Sequence, residues 1–176
     1  MSSLSRRQAM ERMSVPPSYG GLTLRPARDD EADRTFLCAL FAATKAAEMA
    51  AMPVDATAKD FLLRAQYRSM TVTYRRDYPN ARWEVVELVG KPVGRLITDV
   101  GDRCVTYVDI ALSPEAQGRG LATRLMTMAL EEPRRLGLPA RVNVLQQNAA
   151  SLKLCERVGF VREGESPPFV RLEWRG

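Results

Sequence analysis

One stretch constrains this chain more than any other. Leu112-Ser-Pro-Glu-Ala-Gln-Gly-Arg-Gly-Leu-Ala-Thr123 joins a run of alternating apolar residues to a run whose apolar residues recur every three or four positions. A strand must therefore end and a helix begin within one short loop, with Gly118 and Gly120 between them. Paired glycines allow a tight backbone path whose amides turn into a concavity, and the helix starting near Leu121 adds the positive end of its dipole. A diphosphate is the expected occupant, with Arg119 able to add charge and Thr123 a hydroxyl. The spacing is neither the dinucleotide G-x-G-x-x-G nor the phosphate loop G-x-x-x-x-G-K-[ST], and a lone G-x-G also suits a plain turn joining strand to helix.

The remaining chemistry is narrowed by what the 176 residues lack. There is no histidine. Ser-His-Asp and Cys-His nucleophile pairs and His-ligated metals are thereby excluded, and no metal is expected. Cys38, Cys104 and Cys155 are odd in number and widely spaced, which argues against a disulfide framework or a thiolate zinc site and predicts a reducing cytoplasmic compartment. The formal charge of +5 suits anionic partners in general. No apolar run is long enough for a membrane span, and residues 1–20 read as a tail ahead of a single domain over 21–176. Arg6, Arg7 and Arg12 in that tail are too few, without interleaved aromatics, to predict nucleic-acid binding.

Along the domain, Gly21–Arg25 alternates and stops at Pro26, as a first strand would. A helix follows from about Asp29, with Asp29 or Asp30 as N-cap and Phe36, Leu37, Leu40 and Phe41 on its apolar face. Thr57-Ala-Lys-Asp60 resembles a capping box opening a second helix, in which Phe61, Leu62, Ala65 and Met70 are expected to face inward and which ends before Pro79. Residues 82–89, 91–100 and 103–112 read as three antiparallel strands separated by the turn signals Gly90-Lys91 and Gly101-Asp102. A helix bearing Leu121, Leu125, Met128 and Ala129 comes next, with Pro133 marking a kink or end. Ala140–Leu145 is a further strand. Asn148 opens a short helix with Leu152, Leu154 and Val158, closed by Gly159, and strands at Phe160–Arg162 and Phe169–Trp174 complete the order βααβββαβαββ.

Two of these segments carry a family resemblance. Gln117-Gly-Arg-Gly120-Leu-Ala122 resembles the Q/R-x-x-G-x-G/A pyrophosphate motif of the GNAT N-acetyltransferase superfamily. Asn148 to Phe160 is similar to that family's N-x-x-A-x-x-L-Y-x-x-x-G-F segment. The resemblance implies an α/β (α+β) fold with a twisted, mostly antiparallel sheet, flanking helices and splayed central strands, here Arg103–Leu112 and Ala140–Leu145. It implies acetyl-CoA as cosubstrate and a primary amine of a small molecule, peptide or protein as acceptor. Ile110, Ala111 and Leu112 would pair with the pantetheine amides, and Gln117, Gly118, Arg119, Gly120, Leu121, Ala122 and Thr123 would hold the pyrophosphate. Asn148 would lie beside the pantetheine arm, a place compatible with its plain reading as a helix N-cap. The Leu112 backbone amide would polarise the thioester carbonyl.

Departures from the pattern fall on the catalyst. Cys155 stands where many members have a thiolate-protonating Tyr, and it suits a thiol acid or buried packing. Asp109 is the carboxylate nearest the thioester end, a candidate base or base-orienting group; alternation puts it opposite Ile110 and Leu112 unless a bulge re-aims it. Tyr78-Pro-Asn-Ala81, Pro92-Val-Gly-Arg-Leu96 and Asp109-Ile-Ala-Leu112 resemble a bacterial GNAT group with H-V-E where this chain has Asn143-Val-Leu145. Two readings follow: an active N-acetyltransferase, or an acyl-CoA-binding or sensing module with a degenerate site. Arg64, Tyr67, Arg68, Tyr74, Arg75, Arg76 and Tyr78 are expected to form a solvated helix face with snorkelling arginines, the alternative being an acidic-substrate cleft or an RNA contact. Monomer and homodimer both remain open.

Overall fold

The computed structural model describes residues 19–176, and the expectations for residues 1–18 lie outside them. Seven strands form one sheet: β1 (Leu22–Pro26), β2 (Arg82–Leu88), β3 (Lys91–Val100), β4 (Val105–Leu112), β5 (Ala140–Leu145), β6 (Val161–Ser166) and β7 (Phe169–Trp174). Their spatial order is β1-β2-β3-β4-β5-β7-β6. Every neighbouring pair is antiparallel except β4 and β5. The connections carry α1 (Glu31–Thr44), α2 (Ala46–Ala51), α3 (Ala56–Asp77), α4 (Leu121–Ala129), α5 (Glu131–Leu136) and α6 (Ala149–Arg157). This is the mixed, mostly antiparallel sheet with flanking helices that the family resemblance implies.

Alternation sorts the sheet's side chains into two layers. Val86, Leu96, Tyr107, Leu112, Val142 and Leu172 face α4 and α6, which contribute Leu121, Leu125, Met128, Leu152 and Cys155 to one continuous core. Val85 and Ile97, also fully buried, have the opposite parity and turn to the face covered by α1 and α3, where α1 buries Leu37, Leu40 and Phe41. Each large side chain so enclosed contributes about 1.5–3 kcal/mol of burial free energy.

The helix ends explain most boundaries. Asp30 caps α1 by accepting from the Asp33 amide at 2.8 Å, as expected. The second long helix starts earlier than the capping-box reading placed it, because Asp55 accepts from the Ala58 amide at 2.9 Å. Its facing also differs. Phe61 is 72% exposed and Ala65 is exposed, while Gln66, Met70 and Tyr74 turn toward the sheet. The apolar count in this helix is too low to choose a face, and the polar-headed Gln66 and Tyr74 take the inner row instead. Pro133 divides the helical run after Ala129 into α4 and α5; it sits in the first turn of α5, where its missing N–H costs no intrahelical bond. Gly159, with φ +96°, follows α6 as its stop. The short helix α2 was not expected, and β6 runs to Ser166 rather than Arg162.

One ion-pair network ties β1 to the start of α1. Arg25 donates both terminal nitrogens to Asp33 at 2.6 Å and its Nε to Glu87 on β2, and Asp33 also accepts from the Arg28 amide at 2.7 Å. Asp33 is buried, and the Arg25 guanidinium holds its carboxyl at about 2. Its charged form is therefore favoured in the folded state, so this stabilisation is complete at neutral pH and is lost as pH falls from about 4 to about 2. Asp33→Asn is expected to lower the unfolding free energy by about 2–4 kcal/mol at pH 7 and by much less near pH 2, measured by denaturant unfolding at both values.

Candidate functional site

The site begins where β4 loses a neighbour. The parallel ladder to β5 pairs only Val105, Thr106 and Tyr107 with Ala140, Arg141 and Val142. Beyond Tyr107 the two strands part, while β3 stays paired with β4 as far as Leu112. The Ser113 amide donates to the Val93 carbonyl at 2.8 Å, so by alternation the N–H and C=O groups of Ile110 and Leu112 point away from β3, into the opening. A β-bulge at the Ile97/Thr98 register step inserts Val108 between Tyr107 and Asp109. Through it Tyr107, Ile110 and Leu112 all face the α4/α6 core, and Asp109 and Ala111 face α3. The close packing of β3 on the end of β4 requires a glycine: a Cβ at Gly94 would lie 2.5 Å from the Ala111 carbonyl oxygen.

At the end of β4 the chain makes a short 3-10 turn, Pro114–Ala116, and enters the glycine loop. Gly118 and Gly120 adopt φ +71° and +72°, left-handed values that L side chains resist, and a Cβ at either would meet open space. Gly120 is the N-cap of α4 and supplies no side-chain cap. The first-turn amides of Leu121, Ala122 and Thr123 thus have no intrahelical acceptor, and among the described residues the amides of Gly118, Arg119 and Gly120 make no backbone hydrogen bond. Amides, an uncapped dipole and the exposed Arg119 lie along one short path. Gln117 turns back instead: its Nε2 donates to the Leu112 carbonyl at 2.9 Å and braces loop against strand.

A second cation, which the sequence reading missed, stands beside this loop. Arg157 of α6 reaches within 3.5 Å of Thr123 Oγ1. Its signal was the i, i+9 offset from Asn148, which carries it to the far end of the same helix. Asn148 itself is exposed and caps α6, accepting from the Ser151 amide at 3.1 Å.

The two catalytic candidates lie in different surroundings. Cys155 is 4% exposed within the main core, and burial pushes its thiol up to about 11. Asp109 accepts from Arg95 Nε at 2.8 Å on Oδ2, and the same oxygen lies 2.7 Å from Nη2 as an ion pair. Arg95 was visible to the sequence reading only as part of Pro92–Leu96. It is 2% exposed, and α3 covers it with Met70, whose sulfur lies 3.9 Å from Nη2. Tyr74 is close enough to Asp109 and Arg95 to feel both charges, yet burial dominates and raises its phenol to about 12. The basic, aromatic stretch of α3 divides accordingly. Tyr67 and Tyr74 turn inward, Arg64 and Arg76 pair with Asp60 and Asp77 in solvent, and Arg75 lies 5.0 Å over the Trp83 ring. Among the described residues no three Cys, Asp or Glu side chains gather as metal ligands.

A family model described as "Acetyltransferase (GNAT) family" matches residues 27–160. No curated protein matches the sequence. Among solved structures, the PaiA N-acetyltransferase from Thermoplasma acidophilum, in complex with coenzyme A, superposes with TM-score 0.65 at 14% identity, over 88% of this chain and 99% of that one. A ribosomal-protein-alanine acetyltransferase from Vibrio fischeri gives 0.59 at 16% identity, over 91% and 94%. A GNAT family acetyltransferase from Elizabethkingia anophelis with acetyl-CoA bound gives 0.59 at 10% identity, over 90% and 100%. At these identities the likeness is one of fold.

The left-handed backbone at the entry to α4 makes a direct prediction. Gly120→Val should lower the unfolding free energy by about 1–2 kcal/mol through backbone strain alone, since its side chain has room, and denaturant titration measures this.

Proposed function

The chain belongs to the GNAT acetyltransferase family, and from that premise we propose that it transfers the acetyl group of acetyl-CoA to a primary amine of a small molecule, peptide or protein. The observation that carries the reading is the continuity of two unsatisfied surfaces. The β4 edge left open at Ile110 and at the Leu112 N–H leads through the 3-10 turn and the glycine loop into the uncapped start of α4. Together they fit a ligand that is amide-bearing along one part and diphosphate-bearing along the next.

In this reading Ile110, Ala111 and Leu112 take the pantetheine arm as an added strand. Gly118, Arg119, Gly120, Leu121, Ala122 and Thr123 hold the pyrophosphate, with Gln117 bracing their loop and Arg157 adding charge. Asn148 lines the arm from the start of α6. Acetyl-CoA supplies an activated acyl group as a thioester. The Leu112 amide, free on the β5 side, donates to the thioester carbonyl oxygen and stabilises the charge that develops there. The amine nitrogen forms a C–N bond to the acyl carbon and the C–S bond breaks. The ammonium proton passes to solvent, and the departing thiolate takes up a proton.

Asp109 faces the amine side and serves to orient the amine. Cys155 packs the core in this reading, since a thiol so enclosed has no path to the leaving sulfur. Its burial is also the observation that favours the second reading, an acyl-CoA-binding module that has lost its acid. The free thiols of Cys38, Cys104 and Cys155 suit a reducing, cytoplasmic compartment.

Two measurements test the function. Acetyl-CoA should raise the melting temperature, and Arg119→Glu should weaken its binding about tenfold or more, read by calorimetry. Free-thiol release across an amine panel separates turnover from binding alone; acetyl-CoA binding with no release for any amine selects the second reading. In an active enzyme Cys155→Ala should leave the rate unchanged while costing about 1 kcal/mol of stability, and a lost rate revives the thiol acid.

A further inference from the structure

Two of the arginine pairs that include a buried member, Arg25 with Asp33 and Arg95 with Asp109, are built differently. Arg25 spends each of its donors on a separate acceptor: Nε on Glu87, Nη1 on Asp33 and the Pro26 carbonyl, Nη2 on the second Asp33 oxygen. That is what a structural ion pair requires. Arg95 directs Nε and Nη2 at one oxygen, Oδ2 of Asp109, and its Nη1 is buried with no partner. A guanidinium that is 2% exposed and left one-third unsatisfied is a poor device for stability, because burying the charge costs more than an apolar side chain of the same size would. Its consistent effect is on Asp109, which it engages through Oδ2 alone.

The position of that free oxygen is specific. Asp109 is the second residue after the last β4 residue paired with β5, so it stands at the lip of the opening, 20% exposed, on the α3 face. Ile110 and Leu112, whose amides point into the opening, follow it in sequence on the opposite face. The row of α3 over the pair is Gln66, Met70 and Tyr74, one residue per turn. Gln66 Oε1 is also buried without a partner. The lip therefore offers one carboxylate oxygen beside a thioether and a phenol ring.

We propose that Arg95 is the positioning residue of the acceptor site. It fixes Asp109 so that Oδ1 receives the N–H of a primary amine carried on an apolar or aromatic stem, which packs on Met70 and Tyr74. The inference rests on the acetyl-transfer reading above and names the acceptor class for it. A hydrogen bond from the amine to Oδ1 turns the nitrogen lone pair toward the neighbouring edge of β4. Asp109 touches the acceptor and Arg95 acts only through Asp109.

The test is calorimetric binding of benzylammonium chloride to the full-length protein saturated with coenzyme A, with benzyl alcohol as the uncharged control. Asp109→Asn and Arg95→Met should each weaken benzylammonium binding by about tenfold or more, and Arg95→Lys by about threefold or less. Coenzyme A affinity should stay within about twofold throughout, and benzyl alcohol binding should not depend on Asp109. Because Asp109→Asn leaves Arg95 buried and unpaired, the double variant Arg95→Met/Asp109→Asn removes both charges together; it should fold and bind benzylammonium no better than Asp109→Asn. Benzylammonium affinity unchanged in Asp109→Asn, or lost equally in Arg95→Lys and Arg95→Met, overturns the proposal. So does a wild-type protein that binds coenzyme A but not benzylammonium. Asp109-dependent amine binding without coenzyme A binding sinks the acetyl-transfer reading and still supports the positioning role.

Discussion

The structure turns on a strand that has two neighbours for its first half and one for its second. β4 is paired on both sides through Tyr107, and from there β5 leaves it. An unpaired backbone amide kept from water costs about 1–3 kcal/mol, so a half-paired strand at the centre of a sheet persists only where something takes the vacant edge. The bulge at Val108 marks the changeover and adds local twist at the point of departure. β3 must then hold the end of β4 alone, and the missing Cβ at Gly94 lets it do so closely. One side of β4 is rigid because the other is open.

From this asymmetry follows a division of labour. On the proposed reading the chemistry of the α4 side belongs to the backbone: amides of Ile110 and Leu112, the glycine loop and the first turn of α4. On the α3 side it belongs to side chains, Asp109 held by Arg95 beneath Met70 and Tyr74. Backbone recognition tolerates almost any sequence that keeps the glycines and the strand-to-helix junction. The fold superposes on acetyltransferases at 10–16% identity.

Legibility in the sequence follows the same line. The period change at Leu112, the glycine pair, the Asp30 cap and the Gly159 stop are local signals, and each stands where local rules put it. The elements that misled are those decided by tertiary contact. Phe61 looks like core on propensity alone, yet α1 and the sheet meet the face of α3 that carries Gln66, Tyr67, Met70 and Tyr74, and Phe61 lies outside it. A buried arginine cannot be told from a surface one by composition, so nothing in the sequence separates Arg95 from ordinary strand, and the approach of Arg157 to Thr123 is a tertiary contact between helices. The partnership of Arg95 with Asp109 is a diagonal contact across strands, fixed by a register that the sequence does not display.

The absent histidines now bear on how protons move. The phenols of Tyr67 and Tyr74 are raised by burial, Tyr74 to about 12, so near neutral pH both remain neutral donors and neither can accept the amine's proton. The Cys155 thiol is raised as well and enclosed in the core. On the proposed reading, the group at the lip that faces the amine is Asp109, and its Oδ2 is already committed to Arg95. Its free oxygen can direct an N–H, while the proton itself leaves through water at the open side of β4. A site built this way works by placing a nucleophile against an edge of backbone amides, and its selectivity resides in how firmly one carboxylate is held.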